Sequence, residues 1–491
     1  MPLLRILMVF AVGFLLAGCR TSDLEVKVTD NIINHNYIGN GAEWDPYDEA
    51  IAWGTDLSEE DWSVLLQRLR PMGMGYVRCM INSPFLYWDA SSRTYDKTRN
   101  IEKLCRILQY CQENGITVVY GEFNPPEPAM KDSQQWVEMS VDYLNYLVNV
   151  LGFDCIRYFV IFNEPDGYWA TTDGDYELWK SMALRFDAQM RKYAGLKEKV
   201  SLAAPDAVVH FVHPETGASV EDWIKGTADD LDDIVGIYDV HAYPGQEEVR
   251  NGSYLEKLKT LKASVPEGKR IILGEAGFKY ENPEDSLLYK ENIRRAEEHS
   301  FAGPADCNMM VYDHFYGLDM ALLAMDVMNS GFSGMAVWML DDAAHSVGDS
   351  GLKENIKVWG FWNILGSEAF GMSSEEEIRP WYYAWTLMCR YFPKGCDIYE
   401  VESSLTEGIR ICAAQSQEHH TVAFVNWSSE DKTVEMVLPY TFSDARVYIY
   451  EDSVRSLDAD GRLLPAMTDI SGDSIEIILP SQSLVLLTDM E

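Results

Sequence analysis

The sequence predicts an α/β protein: an eight-stranded (β/α)8 TIM barrel followed by a C-terminal antiparallel β-sandwich. Three observations predict it. From about residue 36 to 393, short apolar runs alternate with longer amphipathic ones, the pattern of βα units around a parallel sheet. Eight such apolar runs can be counted, and eight parallel strands close a barrel. Beyond residue 393 the pattern changes to short β-rich segments separated by turn residues, as in a sandwich.

In chain order, residues 1–18 read as an export signal and stand outside the fold. Arg5 supplies the basic flank, and residues 6–16 form an apolar run too short for a permanent membrane helix. The run ends in Leu16-Ala17-Gly18-Cys19, which resembles the lipobox of bacterial lipoproteins. The resemblance implies cleavage before Cys19 and lipidation of its sulfur. The protein would then be exported and held at the outer membrane or cell surface by acyl chains alone. Residues 19–35 form a tether, in which the alternating Leu24-Glu25-Val26-Lys27-Val28 is expected to pair with the sandwich and join both chain ends.

The barrel, residues 36–393, has predicted strands at 37–42, 75–81, 117–121, 156–162, 200–204, 234–241, 270–274 and 334–338. Continuous apolar strands suit a parallel sheet buried on both faces. Ser58-Glu59-Glu60-Asp61 opens a helix with a hydroxyl cap and an acidic first turn; Trp62, Leu65, Leu66 and Leu69 come next at helical spacing, and Gly73 stops it. Residues 136–151 and 176–193 read as further helices. A long connection at 340–379, rich in Gly, Trp and acidic residues, succeeds the last strand, where barrel loops carry function. The sandwich, residues 394–491, has expected strands at 409–413, 421–426, 434–438, 447–450, 475–479 and 483–487.

Composition excludes some functions. With 78 acidic against 40 basic residues the formal net charge is −38, a field that repels nucleic acid. Besides Cys19, the eight cysteines show no CxxC pair or Cys/His ligand spacing, so a zinc site is not expected; no cofactor is expected either. His210 and His213 lack the carboxylate–histidine partner set of a metal hydrolase.

The chemistry lies in two glutamates, each closing an apolar run. Glu164 ends Phe159-Val160-Ile161-Phe162-Asn163-Glu164-Pro165, and Glu275 ends Ile271-Ile272-Leu273-Gly274-Glu275. Carboxylates at carboxyl ends of barrel strands sit where barrel enzymes keep their chemistry, and two of them suffice to cleave a glycosidic bond. Asn163 is placed to bind a sugar hydroxyl beside the reacting centre, and Pro165 turns the chain out of the strand. His241 and Tyr243 project to one side of their strand, so Tyr243 can orient a nucleophilic carboxylate and His241 can contact sugar or the acid. Arg78 ends the second strand, where a buried arginine keeps a nearby carboxylate ionised. Among tryptophans at strand ends and in loops, Trp169 included, Trp338 and Trp44 are the expected sugar contacts. Asp45, Glu122, Asp341, Asp342 and His345 are expected near the same mouth.

Arg78, Asn163-Glu164-Pro165, His241-Ala242-Tyr243, Glu275 and Trp338 together resemble, in order and strand assignment, the pattern of clan A glycoside hydrolases. These are retaining (β/α)8 enzymes, and the resemblance spans most of residues 36–393. The 57–78 run looks like the cellulase-like family five; Arg379-Pro380-Trp381-Tyr382 leading into a sandwich looks like families thirty, thirty-nine and fifty-one. Strand three ends Tyr120-Gly121-Glu122-Phe123-Asn124-Pro125, without the histidine usual in family five. The resemblance implies Glu164 as acid/base on the fourth strand, Glu275 as nucleophile on the seventh and Trp338 as sugar platform on the eighth. A retaining mechanism expects the carboxyl groups about 5–5.5 Å apart, with Glu164 raised in pKa by burial and by Glu275. The implied substrate is an oligo- or polysaccharide, neutral and β-linked by preference. Two alternatives are a transglycosylase and a non-catalytic glycan-binding lipoprotein on the same barrel.

Overall fold

The computed structural model describes residues 24–402, 405–406, 408–452 and 455–491. Cys19 and the export signal lie outside the described residues. Strand β1 (Leu24–Asn34) precedes the barrel. The barrel strands are β2 (Gly39–Glu43), β3 (Tyr76–Ile81), β4 (Thr117–Glu122), β5 (Ile156–Val160), β6 (Ser201–Val208), β7 (Val235–Ala242), β8 (Ile271–Ala276) and β9 (Gly334–Val337). All eight run parallel, each bonded to the next, and β9 pairs with β2 to close the ring.

The eight predicted strands are the eight observed, with displaced ends. The largest displacement is in β6, expected to stop at residue 204. Proline lacks the ladder N–H, yet Pro205 stays in register opposite Asp239, and the strand continues to Val208 through a register shift. Helix Glu59–Met72 begins at Ser58, whose hydroxyl accepts the Asp61 N–H while the Asp61 carboxylate accepts the Ser58 N–H. Helix Gln134–Asn145 widens into a π-helical last turn over Tyr146–Val150, closed by Leu151 N–H to Tyr146 C=O at 2.9 Å.

The C-terminal strands are β10 (Asp397–Glu402), β11 (Ile409–Ser416), β12 (His419–Asn426), β13 (Lys432–Tyr450), β14 (Met467–Leu479) and β15 (Ser483–Thr488). Their order is β1-β10-β11-β12-β15-β13-β14. Strand β1 runs antiparallel to β10 and parallel to β13, so the first described residues are built into the last domain. This domain encloses its own core, including Val26, Ile411, Phe424, Met436 and Leu487. The segments expected at 434–438 and 447–450 are one strand, β13. Its ladder with β14 slips register between Val437 and Val447, which bends the chain without releasing it from the sheet.

Helix His314–Asn329 is apolar on nearly every face because it lies between the barrel and the sandwich. Asn329 Nδ2 donates to the Ile411 carbonyl at 2.9 Å, and the Tyr450 hydroxyl to the His314 carbonyl at 2.9 Å. Arg410, on β11, forms a fully buried ion pair with Asp326 of that helix and donates to the Val249 carbonyl at 2.7 Å. The eight described cysteines are all free. Among the described residues, no helix is long and apolar enough to cross a membrane.

Removing one partner of a buried pair leaves an uncompensated charge, so Arg410→Met is expected to cost about 3–5 kcal/mol in urea unfolding. The double variant Arg410→Met/Asp326→Leu is expected to recover most of that loss.

Candidate active site

The carboxyl ends of the barrel strands converge on one buried guanidinium. Arg78, on β3, is fully buried and has four acceptors. Nη1 donates to Glu43 Oε2 at 2.5 Å and to Glu275 Oε2 at 3.3 Å. Nη2 donates to Asn163 Oδ1 at 2.7 Å and to Asp206 Oδ2 at 3.2 Å. The acceptors come from the ends of β2 and β8, the turn after β5, and β6.

Glu275 lies near the end of β8, and its Oε1 accepts the Tyr243 hydroxyl. Its two oxygens are thus held by different donors, and the carboxylate orientation is set. Glu164 comes after β5 in a left-handed conformation, φ +47°, unusual for a residue with a side chain. Its Oε1 faces His241 Nδ1 at 2.9 Å, and its Oε2 accepts the Trp169 indole N–H at 2.6 Å. His241 Nε2 lies 3.0 Å from Asp206 Oδ1, and Nδ1 lies 3.7 Å from Glu275 Oε2. One oxygen of Glu164, one of Glu275 and a His241 nitrogen lie within 4.8 Å of one another.

These contacts decide where protons rest. Burial pushes His241 down, but the Asp206 and Glu275 carboxylates outweigh it and hold the imidazole well above its ordinary value. Burial alone pushes Glu164 up; the hydrogen bond and charge of His241, with smaller help from Lys279 and Trp169, bring it below the ordinary carboxylate value. This corrects the expectation that Glu164 rests protonated, because His241 competes for the proton. Asp206 is likewise lowered against burial, by His241 and Arg78. Glu43 rises well above its ordinary value, since burial exceeds the effect of Arg78.

Asp239, two residues before His241 on β7, lies beneath this group. Gly274 makes room for it: a Cβ there would stand 2.2 Å from Asp239 Oδ1. No side chain among the described residues hydrogen-bonds this carboxyl, and burial together with the charge of Asp206 pushes the group up to about 8.

Of the expected site residues, Arg78, Asn163, Glu164, His241, Tyr243 and Glu275 meet in this cluster. Trp338 directly succeeds β9 at the mouth but is only 5% exposed, its indole stacked on His345 with ring centroids 5.4 Å apart. Trp44 does not belong to the site. It is 1% exposed, donates to the Tyr47 hydroxyl at 3.2 Å and packs edge-on against Tyr110; its backbone N–H still bonds the Arg78 carbonyl at 2.9 Å, and alternation from inward-facing Glu43 sends its side chain outward. Glu122, Asp341 and Asp342 are buried braces rather than open hydroxyl binders. Glu122 accepts from Tyr87 and Trp136, Asp341 from Tyr47 and Trp362, and Asp342 from Arg379 and two backbone amides. Asp45 accepts the Met80 N–H at 2.6 Å and lies 2.6 Å from His345 Nε2.

Glu43, Asp206, Asp239 and the Trp169 contact escaped the sequence reading. Glu43 and Asp206 carry the signal that marks Glu164 and Glu275, a carboxylate near the end of a barrel strand. Asp239 lies inside a strand and Trp169 reaches the site through a turn. Two donor sets have the spacing of a cation site, Glu164–His241–Glu275 and Asp206–Asp239–His241. In both, Arg78 already bonds a carboxylate directly, and so supplies positive charge.

No sequence-family profile matches this chain, and no curated protein does. Solved structures match it along nearly its whole length. A GH30 endoxylanase from Clostridium papyrosolvens C71 aligns with TM-score 0.61 at 14% identity, over 94% of this chain and 99% of the other. A family 51 alpha-L-arabinofuranosidase from Bifidobacterium longum gives TM-score 0.63 at 12% identity, over 95% and 99%. A GH39 beta-xylosidase from Caulobacter crescentus gives TM-score 0.56 at 12% identity, over 94% and 99%. The fold is therefore that of clan A glycoside hydrolases of families 30, 39 and 51: a closed parallel barrel carrying a β-sandwich.

An aspartate at about 8 in the fold and about 3.9 in the unfolded chain stays neutral in the fold while the unfolded chain ionises. Its stabilising contribution is complete below about pH 4 and is lost as pH rises toward 8. Asp239→Asn, neutral in both states, is expected to melt above the wild type near pH 7 and close to it at pH 4, as read by thermal unfolding at both pH values.

Proposed function

We propose that this protein is a retaining O-glycosidase acting on a neutral, β-linked oligo- or polysaccharide by double displacement. The observation that carries the reading is the approach of a Glu164 oxygen to a Glu275 oxygen within 4.8 Å, at the carboxyl ends of two barrel strands. Retaining enzymes keep their carboxyl groups about 5–5.5 Å apart, whereas inverting ones leave about 6.5–9.5 Å for a water.

Glu275 is the nucleophile. Arg78 and Tyr243 hold one oxygen each, which fixes its aim. Glu164 is the acid/base, sharing one proton with His241 across the 2.9 Å contact. As Glu275 attacks the anomeric carbon and the glycosidic bond breaks, the departing oxygen takes this proton from Glu164. Glu164 then removes a proton from water, whose oxygen attacks the anomeric carbon and releases Glu275. Asp206 steadies the imidazolium from its far side. The named neighbours, an endoxylanase, an arabinofuranosidase and a xylosidase, support a pentose-containing polysaccharide as the first substrate class to assay. We also propose that the protein is exported and anchored through Cys19, on the lipobox resemblance of Leu16-Ala17-Gly18-Cys19.

Glu275→Gln is expected to abolish turnover in a glycoside panel, and Glu164→Gln to lower kcat by about 10²–10⁴-fold on unactivated substrates. NMR of the first product is expected to show the substrate's anomeric configuration; inversion would overturn the mechanism. Cys19→Ser is expected to move the protein from the membrane fraction to the soluble fraction on cell fractionation.

A further inference from the structure

We propose that Tyr168, Trp169 and Phe211 form the subsite that receives the leaving group, and that it selects leaving groups with a flat apolar face. This rests on the glycosidase reading and adds a site and a ligand class to it. The two tryptophans favoured from sequence leave little aromatic surface open at the mouth. Beside the acid/base the situation differs: Tyr168 is 62% exposed, Trp169 46% and the neighbouring Val212 56%. The three rings touch, with centroids 5.0 Å apart for Tyr168–Trp169, 4.7 Å for Trp169–Phe211 and 6.0 Å for Tyr168–Phe211.

Glu164 sets the position of this patch. Its Oε1 faces the buried His241, while Oε2 is bonded by the exposed Trp169. A glycosidic oxygen must reach Glu164 from the open side, so the group attached to it passes over Trp169 and its neighbours.

The loops that carry the patch are braced. The Gly167 N–H bonds the Glu164 carbonyl at 3.0 Å, folding the chain back so that Trp169 returns to the glutamate. A Cβ on Gly167 would stand 2.3 Å from the Trp169 ring, so only glycine permits this approach. Buried Asp166 accepts the Val208 N–H at 3.0 Å and ties this turn to the segment bearing Phe211. Asp173 approaches His213 at 3.7 Å and ties the same two loops again. An exposed aromatic patch held this way is a prepared surface for the apolar face of a pyranose or an aryl group, two sources of the same chemistry.

The test compares the mature protein with Tyr168→Ala, Phe211→Ala and Tyr168→Phe variants. The substrates are a glycosyl fluoride, a 4-nitrophenyl glycoside and an oligosaccharide of whichever sugar a fluoride panel selects. Fluoride carries no ring into the subsite. In both alanine variants kcat/KM for the ring-bearing substrates is expected to fall about tenfold relative to the fluoride, mainly through KM, while Tyr168→Phe keeps the wild-type ratio. A fall with the oligosaccharide assigns the subsite to a sugar ring, and a fall with the nitrophenyl glycoside alone assigns it to an aromatic aglycone. Ratios that match the wild type in both alanine variants overturn the subsite and leave the glycosidase reading intact. A wild type that turns over no glycosyl fluoride overturns both.

Discussion

A single guanidinium at the barrel axis organises the site. Closing eight parallel strands brings the side chains near their carboxyl ends into a small, buried space, and this chain places Glu43, Asp206, Asp239 and Glu275 there, with Glu164 at the rim. Such a concentration of carboxyl groups cannot stay ionised together in a low-dielectric interior. Arg78 compensates part of it and, with donors in fixed planar directions, also sets where Glu275, Asp206 and Asn163 point. The remaining excess is met by protons. Glu43 and Asp239 rise, and His241 takes up a positive charge.

That arrangement gives the two glutamates different surroundings. Glu275 is oriented by a cation and a phenol. Glu164 is coupled to an imidazole whose far nitrogen meets Asp206. A proton on Glu164 is therefore shared with His241 across their 2.9 Å contact rather than held by the carboxyl alone.

Around this centre, the chain beyond the last barrel strand is held by buried polar contacts. The 340–379 excursion, expected to be functional, folds back through Asp341, Asp342 and Arg379. Asp342 orders the amides of Trp359 and Gly360, and Arg379 donates to the Gly360 carbonyl at 2.7 Å. Parts of it still border the mouth: Trp359 packs on Tyr243, and the Lys357 ammonium lies 5.1 Å from the Trp338 ring centroid. The sandwich supports the other side through helix His314–Asn329, and β1 closes the chain onto it.

The sequence by itself determined the element order, the eight barrel strands and the two glutamates. Strand burial on both faces writes itself as an unbroken apolar run, and a charged residue ending such a run is conspicuous. It also singled out Arg78, from its place on the second predicted strand, and His241 with Tyr243, because strand alternation puts those two on one side. Only the tertiary structure decided which aromatics are open. Trp44 and Trp338 occupy positions as promising as any in the sequence, yet packing covers them, while Trp169 reaches Glu164 only because Gly167 lets the turn fold back. The resting place of the proton between Glu164 and His241 was decided there too. It depends on His241 standing between Asp206, Glu164 and Glu275, distances between strands that no one-dimensional spacing contains.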